Sequence, residues 1–284
     1  MTAMIKIVER VAERTFDFGA EDAWSVDCGL TTPHNTPNST LQIALASTNT
    51  IGAAVGLFSP SAPLSGAEIG WVLRAAGGKV TVTHIDGGGL TFQGVISQAF
   101  TSILPNDPLN RPTIILSGDW AIDRPLLQVS GLDHLEGQMV AVLADGGVVN
   151  GLSVFNGAIT LPSPASKVTV GLGFQAQLQT MYLDLGNEIN SVQGKRKKVG
   201  ALTVRCKDSR GVKAGRTFDT VIPIKELNRT TVMGQSVPLI TADERIVMDP
   251  LWDVPGQICI QVDDPLPSTI LGVVPEVVVG DTNK

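Results

Sequence analysis

The sequence predicts a mainly β protein, built of β-sandwich or β-barrel modules with at most short helices. Valine, isoleucine and threonine are abundant, and β-branched side chains suit pleated strands. The chain also holds 30 glycines and 17 prolines, which is typical of a chain that turns often. Short apolar segments alternate with turn sequences at the spacing of a sandwich or barrel. With 43% hydrophobic residues among 284, the chain has enough apolar material for two or three packed domains.

The first predicted elements are short and end in a loop. The opening segment places Ile5, Ile7 and Val11 on one face of a predicted strand, and a helix is the alternative. Residues 24–30 (WSVDCGL) form a short apolar segment. Residues 31–40 (TTPHNTPNST) have the Pro, Asn, Ser and Thr content of a loop or a domain boundary.

A hairpin is the clearest local signal in the first half of the chain. The run KVTVTHI alternates with period two, which places Val80, Val82 and His84 on one face. Residues 86–89 (DGGG) supply the positive-φ positions that a hairpin turn needs, and the run LTFQGVI then returns as the partner strand.

Further strands and turns follow in the second half. Residues 139–143 (MVAVL) have the pattern of a buried strand, and Asn156-Gly157 is a strong type I′ turn signal. Residues 167–170 (KVTV) predict another strand. Residues 187–201 carry acid early and base late, which favours a short helix that Gly194 weakens.

The segment ALTVRCK, which begins at Ala201, returns to strand periodicity. Its alternation points Leu202, Val204 and Cys206 inward and the residues between them outward.

Charge and cysteine content exclude several classes of function. The formal net charge of −6 gives no global attraction to nucleic acid or to an anionic membrane. Cys28, Cys206 and Cys259 are far apart and form no CxxC pair, so neither a disulfide framework nor a zinc knuckle is expected. No apolar run approaches the roughly 20 residues of a membrane span, and the charged N-terminus predicts no signal peptide.

Residues 132–147 (LDHLEGQMVAVLADGG) hold the densest group of polar candidates. The spacing of Asp133, His134 and Glu136 matches no zinc pattern, so the interpretation is that Asp133 and His134 cap a turn and that Glu136-Gly137 ends it. Asp263 and Asp264 are adjacent and would point to opposite faces of a strand, which is poor geometry for paired acid and base. We therefore predict a protein that is not an enzyme, with no catalytic, cofactor-binding or metal-binding residue.

One cluster of positive charge stands out from the acidic chain. Nine of its 21 basic residues lie within 22 positions. A solvated face or an acidic subunit partner is the preferred interpretation, and contact with a nucleic-acid backbone is the alternative. The candidates for these contacts are Lys195, Arg196, Lys197, Lys198, Arg205, Lys207 and Arg210.

Several ordered motifs resemble those of one family of bacteriophage tail proteins. They are residues 24–30 (WSVDCGL), 131–137 (GLDHLEG) with 140–146, 157–161, 168–172, 192–198 (VQGKRKK), and 256–277 with DDPLP at its centre. The family is that of the nozzle proteins of short-tailed phages, also described as tail tubular protein B-like or packaged-DNA stabilisation proteins. The resemblance spans about residues 20–32 and 126–278.

The resemblance implies a particular domain organisation. Residues 66–120 are similar to the family's small β-barrel insertion, which is likened in fold alone to a half-domain of ubiquitin-activating enzymes and brings no catalytic role to Cys28. A main β domain of residues 1–32 and 126–284 would then be interrupted by an inserted β-barrel domain at residues 33–125. Nozzle proteins usually have a larger N-terminal part than this chain provides.

The resemblance also implies a structural role in the virion tail of a phage, for a protein made in the host cytoplasm. It implies a homo-oligomeric ring, commonly a hexamer, next to the adaptor and portal proteins and to tail fibres or a needle. Packaged double-stranded DNA is retained by the ring and passes through its lumen at infection. The alternative is a tail module that binds host-surface glycan or anchors tail fibres. Because the tryptophans and Tyr182 all lie in apolar contexts, the sequence predicts few exposed aromatic faces for a sugar.

Overall fold

The computed structural model describes residues 16–37, 39–45, 49–60, 64–100, 113–115, 120–184, 191–226, 236–249 and 251–280. Within these ranges the only helices are three short 3-10 helices, Gly19–Asp22, Asp133–Leu135 and Phe218–Thr220. The sheets include a curled half-barrel. The prediction of a mainly β protein with at most short helices is therefore confirmed. The predicted opening strand at Ile5, Ile7 and Val11 lies outside the described residues.

The described strands are numbered along the chain. The first eight are β1 (Asp27–Thr31), β2 (Leu41–Leu45), β3 (Ala54–Phe58), β4 (Val72–Ala75), β5 (Gly78–Ile85), β6 (Thr91–Gln98), β7 (Thr113–Ile115) and β8 (Trp120–Asp123). Six more are β9 (Leu126–Ser130), β10 (Met139–Ala144), β11 (Gly147–Ser153), β12 (Ala158–Ala165), β13 (Val168–Leu172) and β14 (Ala176–Gln179). The last seven are β15 (Lys197–Ser209), β16 (Lys213–Gly215), β17 (Ile222–Pro223), β18 (Ile240–Val247), β19 (Trp252–Asp253), β20 (Cys259–Val262) and β21 (Ile270–Val279).

The chain divides into two compact units. The first unit comprises Leu30–Asp145 and Val149–Val170, and the second comprises Met1–Gly29, Gly146–Val148 and Gly171–Lys284. The boundaries of an inserted domain at residues 33–125 within a main domain of 1–32 and 126–284 stay predictions.

A seven-stranded antiparallel sheet forms most of the first unit. Its order is β7-β2-β3-β6-β5-β4-β8, so all its strands come from one continuous stretch of chain. Leu57, Leu73, Phe92 and Trp120 are almost fully buried in its core. The predicted hairpin is confirmed, because β5 and β6 pair across the turn and Gly89 has a φ of +67°.

His84 does not lie on the buried face of β5, which corrects the prediction from alternation. Val80 and Val82 are buried as predicted, but the His84 side chain is exposed. A register shift between Val82 and His84 breaks the pairing with β6. Such a β-bulge inserts a residue into one strand and reverses the faces that follow.

Two smaller groups of strands are separate from the seven-stranded sheet. Four strands in the order β1-β13-β10-β11 form one sheet, and β12 pairs with β9. The strand predictions for residues 139–143 and 167–170 are confirmed by β10 and β13. Asn156 and Gly157 have φ values of +51° and +65°, the double positive φ that a type I′ turn requires.

The second unit contains two sheets that share an apolar core. One has the order β14-β20-β16-β17. The other is a ribbon in which the long central strand β15 pairs with β18 on one side and with β21 on the other. Leu202, Val204 and Cys206 on β15 are buried, so the predicted alternation is confirmed. Pro275 lies in β21, opposite Leu202.

The helix predicted for residues 187–201 is wrong for residues 191–201, which the structure describes. Residues 191–196 form a turn, and β15 begins at Lys197. Residues 187–190 lie outside the described part of the chain. Tertiary packing decides this segment, because Val199 and Lys197 are buried and alternate with partly exposed neighbours, as on a strand.

Candidate functional site

The seven candidate basic residues all lie on β15 or directly beside it in the second unit. The structure therefore brings them onto one long strand. Successive residues of a strand point to opposite faces, so neighbouring residues along β15 have different surroundings. The seven side chains lie in three kinds of environment.

One group of basic residues is neutralised by carboxylates. On the exposed face of the ribbon, the guanidinium of Arg205 donates two hydrogen bonds of 2.7 and 2.8 Å to the carboxylate of Asp243. The hydrogen bond from Arg205 lowers the pKa of Asp243 below its ordinary value. Arg210 is buried, donates to the carbonyl oxygen of Gly146 at 2.9 Å and lies 3.4 Å from Glu226.

Two further basic residues, downstream of the candidates, are paired in the same way. Lys213 Nζ lies 2.6 Å from Oδ1 and 2.8 Å from Oδ2 of Asp263, with hydrogen-bond geometry only at Oδ2. Burial raises the pKa of Asp263, but the hydrogen bond and charge of Lys213 outweigh it, so the net shift is downward. Arg216 forms an ion pair with Asp253. These pairs remove positive charge that a phosphate would otherwise meet.

Lys197 has a structural environment. Its side chain is 1% exposed, and its ammonium donates to the carbonyl oxygen of Val254 at 2.8 Å and to that of Lys195 at 3.4 Å. The stem packs against Gly256, where an added Cβ would lie 3.1 Å from Lys197 Cδ. Lys197 therefore holds the loop after β19 against β15 and has almost no surface to offer to a partner.

Four basic residues remain without a carboxylate. Within the described part of the chain, no hydrogen bond or ion pair is made by the side chains of Lys195, Arg196, Lys198 and Lys207. Arg196 and Lys207 are exposed, and the other two are half-buried. Any contact of this segment with DNA or with a neighbouring subunit must rely mainly on these four cations.

The outer face of the ribbon carries apolar side chains among its charges. Side chains directly opposite in antiparallel strands share a face. Val274 lies opposite Thr203, Val278 opposite Lys198, and Val247 opposite Ala201. The three valines are 58%, 56% and 65% exposed, so this face is not part of the core.

Ion pairs separate these apolar side chains. Arg245 on β18 holds Glu276 on β21 with bonds of 2.6 and 2.8 Å, and this hydrogen bond lowers the pKa of Glu276. The Arg245–Glu276 and Arg205–Asp243 pairs place paired charges among the exposed valines of this face. A face of this kind, part apolar and part paired charge, resembles the composition of a protein–protein interface.

A cleft of about 460 Å³ lies elsewhere in the second unit. Its lining combines aromatic rings, aliphatic side chains, several neutral polar side chains and one carboxylate. Among them are Phe16, Trp24, Phe174, Ile260, Leu266, Gln177, Ser268 and Asp264. Trp24 and Phe174 are 38% and 48% exposed, whereas Ile260 and Leu266 are buried.

The exposed aromatics correct the expectation drawn from their apolar sequence contexts. Trp24 in the cleft, Trp252 next to the ribbon and Tyr182 all present a large part of their rings to solvent. The sequence interpretation missed the cleft because its residues come from three distant segments. The only local signal is the DDPLP stretch, whose prolines place Asp264 in a turn after β20.

Two of the histidines lie beside carboxylates, His34 beside Asp123 and His84 beside Asp86. No group of three or more His, Cys, Asp or Glu side chains among the described residues could hold a metal ion. His34 Nδ1 lies 2.7 Å from Asp123, but Asp123 also accepts a hydrogen bond from buried Arg74 at 2.9 Å. That carboxylate thus belongs to a packed ion pair.

Glu136 accepts hydrogen bonds from the backbone N–H groups of Asn156 and Gly157 at 3.0 and 2.7 Å. Asp133 and His134 lie in the 3-10 helix just before it. Glu136 is the C-cap of this helix and Gly137 has a φ of +74°, which confirms the prediction that Glu136-Gly137 ends the turn. Burial raises the pKa of the Cys206 and Cys259 thiols, which keeps both protonated near neutral pH.

Comparison with known proteins does not identify the chain. A scan against protein-family models and a search of the curated proteins both give no match. No helix among the described residues has the length and apolar character that are needed to cross a bilayer.

Proposed function

We propose that the chain is a structural subunit of a short-tailed phage tail, and that it acts as a nozzle or hub ring around the DNA conduit. The observation that carries the proposal is the outer face of the ribbon, where Val247, Val274 and Val278 are each more than half exposed. Exposed valines set between paired charges on one face of a sheet form a mixed apolar and polar surface that a neighbouring subunit can bury. The sequence motifs shared with nozzle proteins supply the identity of that assembly.

The charge distribution is compatible with a DNA conduit. Each phosphate that a protein neutralises adds a salt-dependent contribution to the binding affinity. The wall of a conduit must therefore expose few basic side chains to the DNA. The chain is acidic overall at −6, and Arg205, Lys213 and Arg216 are occupied by carboxylates. A polyanion can therefore slide past this protein with little attraction.

The proposal includes the surroundings of the ring. Its copies, commonly six in nozzle proteins, would contact one another, the adaptor and portal proteins on one side, and tail fibres or a needle. The protein would be made in the bacterial cytoplasm and function in the virion tail, where it retains the genome and releases it at infection. In this role it needs no catalytic group.

Glycan binding is the second candidate, and the cleft is the observation that favours it. A sugar ring packs on exposed aromatic faces such as those of Trp24 and Phe174. The lining also includes Ser25, Gln177, Ser268 and Thr269, which offer hydrogen-bonding groups to the hydroxyls of a sugar. The single carboxylate of the cleft, Asp264, also suits a ligand with an apolar stem and a positively charged end.

The assembly part of the proposal can be tested with the purified chain. Sedimentation velocity measures the oligomeric mass of the wild type and of the variant Val274→Lys/Val278→Lys. We expect a closed oligomer for the wild type and a strong shift toward monomer for the variant. Leu127→Lys is the matched control, because Leu127 is 50% exposed but lies on β9 in the first unit.

The tail location requires imaging of virions. Particle reconstructions should place the chain in a closed ring on the tail axis. A monomeric wild type at all concentrations, or a peripheral position resembling a fibre, would remove the ring from consideration.

A further inference from the structure

The cleft of the second unit contains a negative charge that lacks a partner in the described residues. Asp264 is half-buried, and its carboxylate takes part in no hydrogen bond or ion pair there. Its neighbours in the cleft include buried Leu266 and the exposed rings of Trp24 and Phe174. A carboxylate beside apolar surface is stabilised when a cation pairs with it.

The chemistry of the cleft selects a particular kind of cation. Aromatic faces attract a guanidinium through the ring quadrupole, and a carboxylate can accept two parallel hydrogen bonds from it. The methylene stem of an arginine also covers apolar surface while its charged end stays polar. Arginine fits this combination better than lysine, because its planar guanidinium can stack on an aromatic ring and donate two parallel hydrogen bonds to a carboxylate.

One described arginine of the second unit is available for such a contact. Arg205, Arg210, Arg216 and Arg245 are each paired with a carboxylate of their own chain. Arg196 is exposed in the turn just before β15 and has no hydrogen-bond or ion-pair partner for its side chain among the described residues.

Lys195 adds a second positive charge to this turn. It is half-buried and has no carboxylate partner in the same part of the chain. The turn and the cleft are thus complementary in charge, but Arg196 and Asp264 form no ion pair within one chain.

We propose that Arg196 of one copy, with Lys195 beside it, enters the cleft of the next copy and pairs there with Asp264 between Trp24 and Phe174. The inference rests on the proposed ring, whose contacts it specifies. Because the turn and the cleft are different surfaces, the contact is heterologous and repeats from copy to copy until a ring closes.

Charge reversal tests this pairing directly. Arg196→Glu and Asp264→Arg should each weaken self-association at least tenfold, as measured by sedimentation velocity at low ionic strength. The double variant Arg196→Glu/Asp264→Arg restores opposite charges at every contact and should recover most of the wild-type association. Arg124→Glu is the control for charge change alone, because Arg124 is an exposed arginine of the first unit.

Mixing the two single variants gives a second, independent readout. In an equimolar mixture the negative turn of one variant meets the positive cleft of the other, and the positive turn meets the negative cleft. Mixed oligomers should therefore form although neither variant assembles alone, and native mass spectrometry would resolve their composition. Circular dichroism confirms that each variant is folded.

The outcomes separate this inference from the proposed function. If the wild type assembles and the single variants assemble equally well, the Arg196–Asp264 contact is overturned and the ring stands. If neither the double variant nor the mixture associates better than the single variants, the pairing is likewise overturned. A wild type that never assembles overturns the ring itself, and the contact with it.

Discussion

The buried ammonium of Lys197 gives the sharpest test of how the basic segment divides between structure and surface. Lys197→Ala removes three methylene groups from the core and the hydrogen bond to the Val254 carbonyl at 2.8 Å. At about 0.8 kcal/mol per buried methylene the stem contributes about 2.4 kcal/mol. A hydrogen bond from a charged donor adds about 1.5 to 3 kcal/mol. Because the substitution also relieves the desolvation of the ammonium, the sum of about 4 to 5 kcal/mol is an upper value.

Two companion variants separate these terms. Lys197→Met keeps an unbranched apolar stem and loses only the hydrogen bond, so we expect about half of that loss. Lys225→Ala changes an exposed lysine of the second unit outside the basic run, and surface substitutions of this kind stay within about 0.5 kcal/mol. All three are compared by urea unfolding followed by circular dichroism, with unchanged m-values as the check that the transition is the same.

The reasoning is refuted if Lys197→Ala unfolds at the same urea concentration as Lys225→Ala. That result would mean that the ammonium is solvated in solution and that all four residues of the basic run belong to the surface. A larger loss for Lys197→Met than for Lys197→Ala would also contradict it, because the stem would then contribute nothing.

Two other predictions concern charge pairs. Because the folded-state pKa values of Asp243 and Glu276 are depressed, their stabilisation is complete above the ordinary carboxyl pKa of about 4 and is lost as the pH falls through the folded values. The urea concentration at the midpoint of unfolding should therefore decrease as the pH is lowered below about 4. The decrease should be less steep for Arg245→Gln than for the wild type, and parallel curves of midpoint against pH for the two proteins would contradict this. Arg74→Met removes the buried cation that pairs with Asp123 and Asp145 in the first unit and should cost about 3 kcal/mol or more in urea unfolding. The control Lys79→Met should cost far less, and equal losses would count against a buried ion pair.

Local signals in the sequence predict most of the strands because their causes are local. Leu202, Val204 and Cys206 alternate since each pair of positions in a strand returns to the same face. Asn156-Gly157 specifies its turn, because both residues tolerate positive φ.

The errors come from long-range packing that periodicity does not contain. The bulge before His84 depends on the pairing of β5 with β6. The charge order at residues 187–201 favours a helix, but the chain is drawn into β15 by burial of Val199 and by pairing with β21. Sequence periodicity does not predict the cleft, because Trp24, Phe174 and Asp264 come together only after the second unit folds.

Pro275 sets a limit on how this protein can grow by addition of further copies. It lies in β21, which borders the ribbon, and it has no backbone N–H to donate to an incoming strand. A neighbour cannot continue the hydrogen-bond ladder along that border without a gap. Among the described strands β18 forms the opposite border of the ribbon, so the addition of a strand from another copy should favour β18 over β21.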